Sequence, residues 1–301
     1  MEFGVNLINF GPSATPEILG RWARLAEDLG YHFLMTSDHI AMTADVQARF
    51  PAPLYEPLST LGWLAGCTSR IAIGTSALIL PYRSPLETAR AFANIDRLSD
   101  GRLILGVGTG WARKEYAALN VPFARRGAIA NEYLAAIKQL WTEEISSFEG
   151  EFVRFTDVDS RPLPVQSPHP PIWVGGASEA AMERAVLYGD GWHPLRITVA
   201  GLRDIALPKI TAIADRAGRP VPALCPRIML RLSETTVPED GRLAGVGTID
   251  QVRRDIDGLA RLGCSHVLFD TYYDDMAATA DYEAAWRMLR AMAEKLLDGR
   301  S

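Results

Sequence analysis

The sequence predicts an α/β protein in which eight parallel strands, each followed by a helix, close into a (β/α)8 TIM barrel. Short apolar runs alternate with longer segments of helical period from one end of the chain to the other. Eight candidates of each kind fit into 301 residues, the number a closed barrel needs. The strand candidates are almost continuously apolar, as strands covered on both faces must be. An open doubly wound sheet is the rival architecture. Its first strand-to-helix turn would be expected to carry G-x-G-x-x-G, and "NFGPSATP" does not.

Taken in order, "FGVNLIN" is the first strand, and Thr15-Pro16-Glu17 starts a helix with a cap and a first-turn proline that runs to Gly30. "HFLMTS" is the second strand, and the next helix ends near Thr68. "IAIGTSALIL", "RLILGVG", "PIWVGG" and "GWHPL" supply strands three to six, separated by the helical segments "PLETARAFANIDRLS", "ANEYLAAIKQLW" and "SEAAMERAVLY". A helix within residues 200 to 217, the strand "CPRIMLRL", a helix from Ile249 to Leu262, the strand "HVLFD" and a helix from about Asp281 to Leu297 complete the series. Residues 41 to 57 and 146 to 171 break the alternation, the second with a small hairpin in "SFEGEFVRF". Both are expected as insertions at the C-terminal face of the strands, where long loops serve as lids. One domain over residues 1 to 301 is expected.

With 48% hydrophobic and 22% charged residues, a formal net charge of -5 and scattered Lys and Arg, neither a nucleic-acid stripe nor a polybasic membrane patch is present. Cys67, Cys225 and Cys264 have no C-x-x-C spacing and are expected as reduced, packed thiols. No charged-then-apolar leader opens the sequence and no run approaches a membrane span, so a cytoplasmic location is expected.

Reactive groups of a barrel lie at the C-terminal strand ends. These ends offer Asn9, Asp38 and His39, Ser76 and Ala77, Gly108 to Trp111, Gly175 to Ser178, and Trp192 with His193. There is no metal-ligand spacing and no G-x-S-x-G elbow. Glycines, small hydroxyls, imidazoles and indoles suit a large planar, phosphorylated cofactor. Each feature also has a plainer reading. Asp38 and His39 could be a cap and a packed histidine. The turn Gly175, Gly176, Ala177, Ser178 could simply cap the following helix, although free N–H groups there also suit a phosphate. Gly245-Val246-Gly247-Thr248 is a rival cradle, yet Thr248 and Gln251 match an ordinary capping box. Trp63, Trp141, Trp173 and Trp286 are expected in the core, and Trp111 and Trp192 as pocket walls.

Several stretches together, "AEDLGYHFLMTSDHI", "EPLSTLGWLAGCTSRIAIGTSALILPYRSP", "NIDRLSDGRLILGVGTGW", "NVPFARRG" and "PHPPIWVGGASEAAMERAVLYGDGWHPL", resemble the luciferase-like flavin and deazaflavin oxidoreductases over nearly the whole chain. The Asp-His ending of the second strand resembles the members that use coenzyme F420; many flavin monooxygenases carry Glu-His-His there. The resemblance implies that Asp38 hydrogen-bonds the deazaflavin and that His39 lies where hydride is exchanged. It implies a non-proline cis peptide at Ser76-Ala77 against the ring, further contacts at Thr109 and Gly110, and a phosphate turn at Gly175, Gly176, Ala177 and Ser178, which decides against Gly245. Asn9, Trp111, Trp192 and His193 would form the substrate pocket. Sugar-phosphate dehydrogenases of this group carry glutamates where this chain has Trp111 and Ile8, which disfavours that substrate.

The implied reaction is F420-dependent hydride transfer to or from a carbonyl, imine or activated alkene. His39 would be the acid, with His193 or Tyr116 as alternatives. An FMN-dependent monooxygenase using reduced FMN and O2 is the alternative, and a barrel that has lost its cofactor the third reading. A homodimer, a small-molecule substrate and a reductase supplying reduced cofactor are the implied partners. Residues 41 to 57 and the loop from Ala112 to Arg126 would shape substrate choice.

Overall fold

The computed structural model describes residues 1 to 272 and 281 to 297; the parts of the expected single domain at 273 to 280 and 298 to 301 lie outside the described residues. Strands β1 (Glu2–Leu7), β2 (Phe33–Thr36), β3 (Ala72–Thr75), β4 (Leu103–Gly108), β5 (Ile172–Gly175), β6 (Gly191–His193), β7 (Arg227–Met229) and β8 (His266–Asp270) alternate with helices α1 (Pro16–Asp28), α2 (Pro57–Cys67), α3 (Pro85–Leu98), α4 (Arg126–Thr142), α5 (Glu179–Tyr188), α6 (Leu207–Ala217), α7 (Ile249–Arg261) and α8 (Tyr282–Leu296). Every strand and helix expected from the periodicity is present.

The strands pair in parallel from β8 through β1, β2, β3, β4 and β5 to β6. The seventh run closes the sheet. Its first stretch, Ala223–Leu224, pairs with β6, and its second, β7, pairs with β8. Pro226 between them has no N–H to give, but its carbonyl accepts from Leu268 and the flanking N–H groups of Cys225 and Arg227 reach Trp192 and Pro194. The doubly wound rival is thereby removed.

Strand alternation sorts side chains to two cores. Leu34, Ile73, Leu105 and Val174 face the helices. Phe33, Met35, Ile104, Trp173 and Leu268 form a separate cluster that fills the barrel, with Phe33 and Trp173 meeting edge to face at 5.3 Å. Gly4 admits the Phe33 ring, which would lie 2.2 Å from a Cβ at that position. The barrel is therefore packed below, and a ligand must enter at the carboxyl ends of the strands.

Two expectations are corrected. Residues 41 to 57 do lie at the C-terminal face, with a short helix (Ala44–Gln47) and a bridge from Leu54 to Phe10. The hairpin Ile145–Glu149 with Arg154–Asp159 follows α4 and folds back along it, the N–H groups of Glu151, Phe152 and Val153 donating to Glu132 in the first turns of α4 and Glu151 pairing with Arg125. Its trailing coil binds the Asp96 carboxylate through the N–H groups of Val165 and Gln166, and Gln166 donates to the carbonyl of Leu103, the first residue of β4. The insertion runs along the outer flank of α3 and α4, and none of its residues lines the cavity at the strand ends, so it is not a lid over that cavity. Trp63, expected in the core, is 43% exposed on α2; Trp141, Trp173 and Trp286 are buried.

Candidate active site

A cavity of about 310 Å³ opens at the carboxyl ends of the strands. Asp38 and His39 come to it from the end of β2, Ser76 and Ala77 from β3, Gly108 to Trp111 from β4, Gly175 and Gly176 from β5, and His193 from β6. The Ser76–Ala77 peptide is cis, as the resemblance implied.

Asp38 is buried, and both carboxylate oxygens are engaged within the chain. Arg83 forks onto them at 2.7 and 2.8 Å, and the Ile79 N–H adds a bond of 2.8 Å. Arg83 also reaches Glu56 at 2.9 Å. Asp38 thus ties the segment after Ala77 to the end of β2, and contact with a ligand would be shared with its internal partners.

His39 is fixed by a residue that the sequence reading missed. Its Nδ1 lies 2.7 Å from Oε2 of Glu115, and both side chains are buried. Glu115 also accepts from the N–H groups of Ile40 and Ala41 at 2.7 and 3.1 Å and from the Tyr82 hydroxyl at 3.0 Å. These donors compensate a carboxylate removed from water. Burial, reinforced by Glu115, raises the Tyr82 phenol far above its ordinary range, so it stays a donor. With Nδ1–H given to Glu115, Nε2 is the ring nitrogen left for the cavity. Glu115 lies on the short helix Arg113–Ala118, away from any strand end. Its sequence signal was a glutamate between Ala112 and Tyr116, both of which turn out to be fully buried.

His193 has a different character. Nδ1–H donates to the Cys225 carbonyl, which makes Nε2 the acceptor of the Ser76 hydroxyl at 2.8 Å. Arg227 supports Ser76, donating to its carbonyl at 2.6 Å and its hydroxyl at 3.1 Å, and pairs with Asp270 at 2.6 Å. Burial holds His193 down at about 4, so it is neutral at physiological pH with no proton to give the cavity. As an alternative acid it is corrected to a neutral acceptor. Tyr116 is corrected too, since its hydroxyl is spent on the Thr109 carbonyl and it does not line the cavity. Arg227 was also missed; its signal was an arginine, the first of two, inside the otherwise apolar run "CPRIMLRL".

The depressed His193 makes a stability prediction. Unfolded, this imidazole titrates near 6.5, so between that pH and about 4 the unfolded chain binds the extra proton. Stability is complete above 6.5 and is lost as the pH falls through this window, by about 3 kcal/mol in all. His266, also lowered by burial, acts with the same sign. Urea midpoints measured from pH 7 to pH 4.5 should fall for the wild type and fall less steeply for His193→Gln. Equal slopes would show that His193 is not the titrating group.

Other expected residues are placed as follows. Thr109, Gly110 and Trp111 line the cavity; Gly110 has φ +64, and a Cβ there would stand 2.8 Å from Ile79. Gly176 has φ +117 and accepts at its carbonyl from the Trp192 indole at 2.8 Å. Trp192 is therefore not a pocket wall; it is buried behind the turn and braces it. Asn9 is corrected as well. It is buried outside the cavity, donating to the carbonyls of Ser37 and Tyr55 and accepting from the Ser37 N–H. Ala177 and Ser178 are exposed beyond the cavity lining, with Ser178 capping α5 through the Ala181 N–H. At the rival turn, the Gly245 N–H is taken by Asp255, itself forked by Arg242 at 2.7 Å, and Thr248 with Gln251 forms the capping box. That turn is closed by its own side chains.

Comparison with known proteins gives the same family from several directions. An uncharacterised Mycobacterium tuberculosis protein is 32% identical over 306 residues, covering 95% of this chain and 98% of its own. An F420-dependent glucose-6-phosphate dehydrogenase of Kineococcus radiotolerans is 37% identical, aligned over 59% of this chain and 52% of that one. An FMNH(2)-dependent dimethylsulfone monooxygenase of Pseudomonas putida is 30% identical over 60% of this chain and 49% of that one. Among solved structures, the monooxygenase RslO1 from Streptomyces bottropensis superposes with a TM-score of 0.80 at 25% identity over the whole of both chains. The family model described as luciferase-like monooxygenase matches residues 1–240, and the chain belongs to that family of oxidoreductases and monooxygenases.

Proposed function

We propose that the protein is an F420-dependent oxidoreductase that transfers a hydride between the deazaflavin and a small carbonyl, imine or activated alkene. The observation that carries this reading is one cavity in which a Glu115-anchored imidazole faces a slot walled by Ala77, Gly108, Gly110, Gly175 and Gly176. None of those five has a side chain larger than methyl, so a flat tricyclic ring can approach backbone on both sides. Ser76, Ala77, Thr109 and Gly110 would hold the ring. Gly175 and Gly176 would pass the tail outward to the exposed Ala177 and Ser178 at the start of α5, where backbone N–H groups suit a phosphate. The Asp38-His39 ending of β2 supports F420 over FMN.

When bound, the deazaflavin supplies a two-electron hydride donor or acceptor. The chain supplies the rest. His39 Nε2 gives or takes the proton that accompanies hydride transfer, Glu115 holds its tautomer and orientation, and Phe50 and Trp111 shield the reacting face from water. Trp111 in this wall also disfavours a sugar phosphate, and Ile8, the other departure, is buried outside the cavity. We place the protein in the cytoplasm as a single-domain homodimer resupplied by a reductase; among the described residues no helix is long and apolar enough to cross a membrane.

The test is a paired fluorescence titration of purified protein with F420 and with FMN. F420 should bind at least about tenfold more tightly, a difference of about 1.4 kcal/mol. Tighter FMN binding would overturn the assignment in favour of a flavin enzyme, and binding of neither would mark a barrel without cofactor.

A further inference from the structure

A second cavity of about 360 Å³ adjoins the first, sharing Phe50, Trp111, Leu195 and Arg227 with it. Its aromatic lining is Phe50, Trp111 and Tyr272, with Phe50 and Tyr272 inclined at 33° and 5.5 Å apart. Among the described lining residues Arg49, Arg196 and Arg227 stand with one carboxylate, Asp270, and the anion contact inferred here is Arg49's alone. That carboxylate is already engaged, taking Arg227 on one oxygen and the Asn6 amide and the Tyr272 N–H on the other.

Arg49 differs from Arg227. Its guanidinium carbon stands over the Trp111 ring, 4.9 Å from the centroid, on an exposed residue, and it makes no ion pair with the described residues. A guanidinium held over a ring by cation–π attraction keeps N–H groups to offer a ligand, in the fork that matches a carboxylate. The same Trp111 ring stands edge-on to His39, with centroids 5.9 Å apart. An anion held by Arg49 would therefore keep the remainder of its molecule over the aromatic lining and direct it toward the imidazole.

We infer that this second cavity is the substrate compartment and that it takes a flat, largely apolar molecule bearing a carboxylate, which Arg49 receives. The inference rests on the reading of the first cavity as the cofactor slot. It specifies that the carbonyl, imine or alkene to be reduced, or its reduced counterpart, belongs to an organic acid of aromatic or conjugated character.

The probe is 2-naphthoate, compared with 2-naphthamide, which has the same shape without the charge. Quenching of tryptophan fluorescence in the protein without cofactor reads binding, with Trp111→Phe to assign the signal. Naphthoate should bind at least about tenfold more tightly than naphthamide, the order expected of one charge-assisted contact. Arg49→Gln should abolish the preference, Arg49→Lys should keep part of it, and F420 affinity should stay within about twofold in both. Equal binding of the two probes, binding of neither, or a preference that survives Arg49→Gln would overturn the inference. Loss of F420 binding in Arg49→Gln would overturn it too, by making the second cavity part of the cofactor site. An Arg49-dependent preference in a protein that binds no F420 would sustain the anion site while removing the F420 reading, so the two failures are distinct.

Discussion

Replacing His39 by Asn is expected to lower turnover with reduced F420 by about 10²- to 10⁴-fold, the range of a general acid or base, while cofactor affinity changes by no more than a few-fold. Asn keeps a donor that can reach Glu115, so the buried carboxylate is not left bare and the local fold should survive. Glu115→Gln separates placing the imidazole from supplying the proton. It should lower kcat less than His39→Asn, leave KM nearly unchanged and move the pH profile, because the group that orients and polarises Nδ1 has lost its charge. A purely structural role for Glu115 would lower stability without moving that profile. If His39→Asn retains full turnover, or loses the cofactor outright, His39 is part of a binding wall and the assignment of proton transfer fails.

The largest stability effect is expected at Arg83. Arg83→Met leaves the Asp38 carboxylate, whose side chain is wholly buried, with the Ile79 N–H as its remaining partner among the described residues. Breaking a buried pair from one side destabilises by about 3 to 5 kcal/mol, because the surviving charge remains out of water. Chemical denaturation should show a loss of that order for Arg83→Met. The double variant with Asp38→Asn should recover a substantial part of it, since the uncompensated charge is gone. A loss below about 1 kcal/mol would place this ion pair with the surface pairs of little consequence.

Much of the barrel was legible because burial on both faces writes itself into sequence as short apolar runs, and helices announce their ends. Thr15 with Pro16, and Thr248 with Gln251, cap helices as the local chemistry requires. Strand ends then pointed to Asp38, His39, Ser76, Ala77 and the Gly108 to Trp111 stretch, all of which meet at one cavity. What was not legible depended on distant partners. Glu115 is separated from His39 by 76 residues and Arg83 from Asp38 by 45, and no periodicity encodes either contact. Trp192 and His193 are adjacent, and the sequence put both in the pocket. In a strand they face opposite ways, so one braces Gly176 from outside while the other lines the cavity. The hairpin near residue 150 was recognised and still expected as a lid, because strand-like composition does not show what a connection packs against; its tip sits on Glu132 of α4 and not over the cavity.

The central claim is that the glycine-walled cavity beside His39 holds a deazaflavin. A crystal structure of the protein with F420 tests it most directly. The ring should lie within the slot formed by Ala77, Gly108, Gly110 and Gly175, with the His39 imidazole near its reacting edge and the tail leaving past Gly176 toward Ser178. A ring seated in the neighbouring cavity under Arg49, or a cofactor phosphate on the Gly245 turn, would contradict the account.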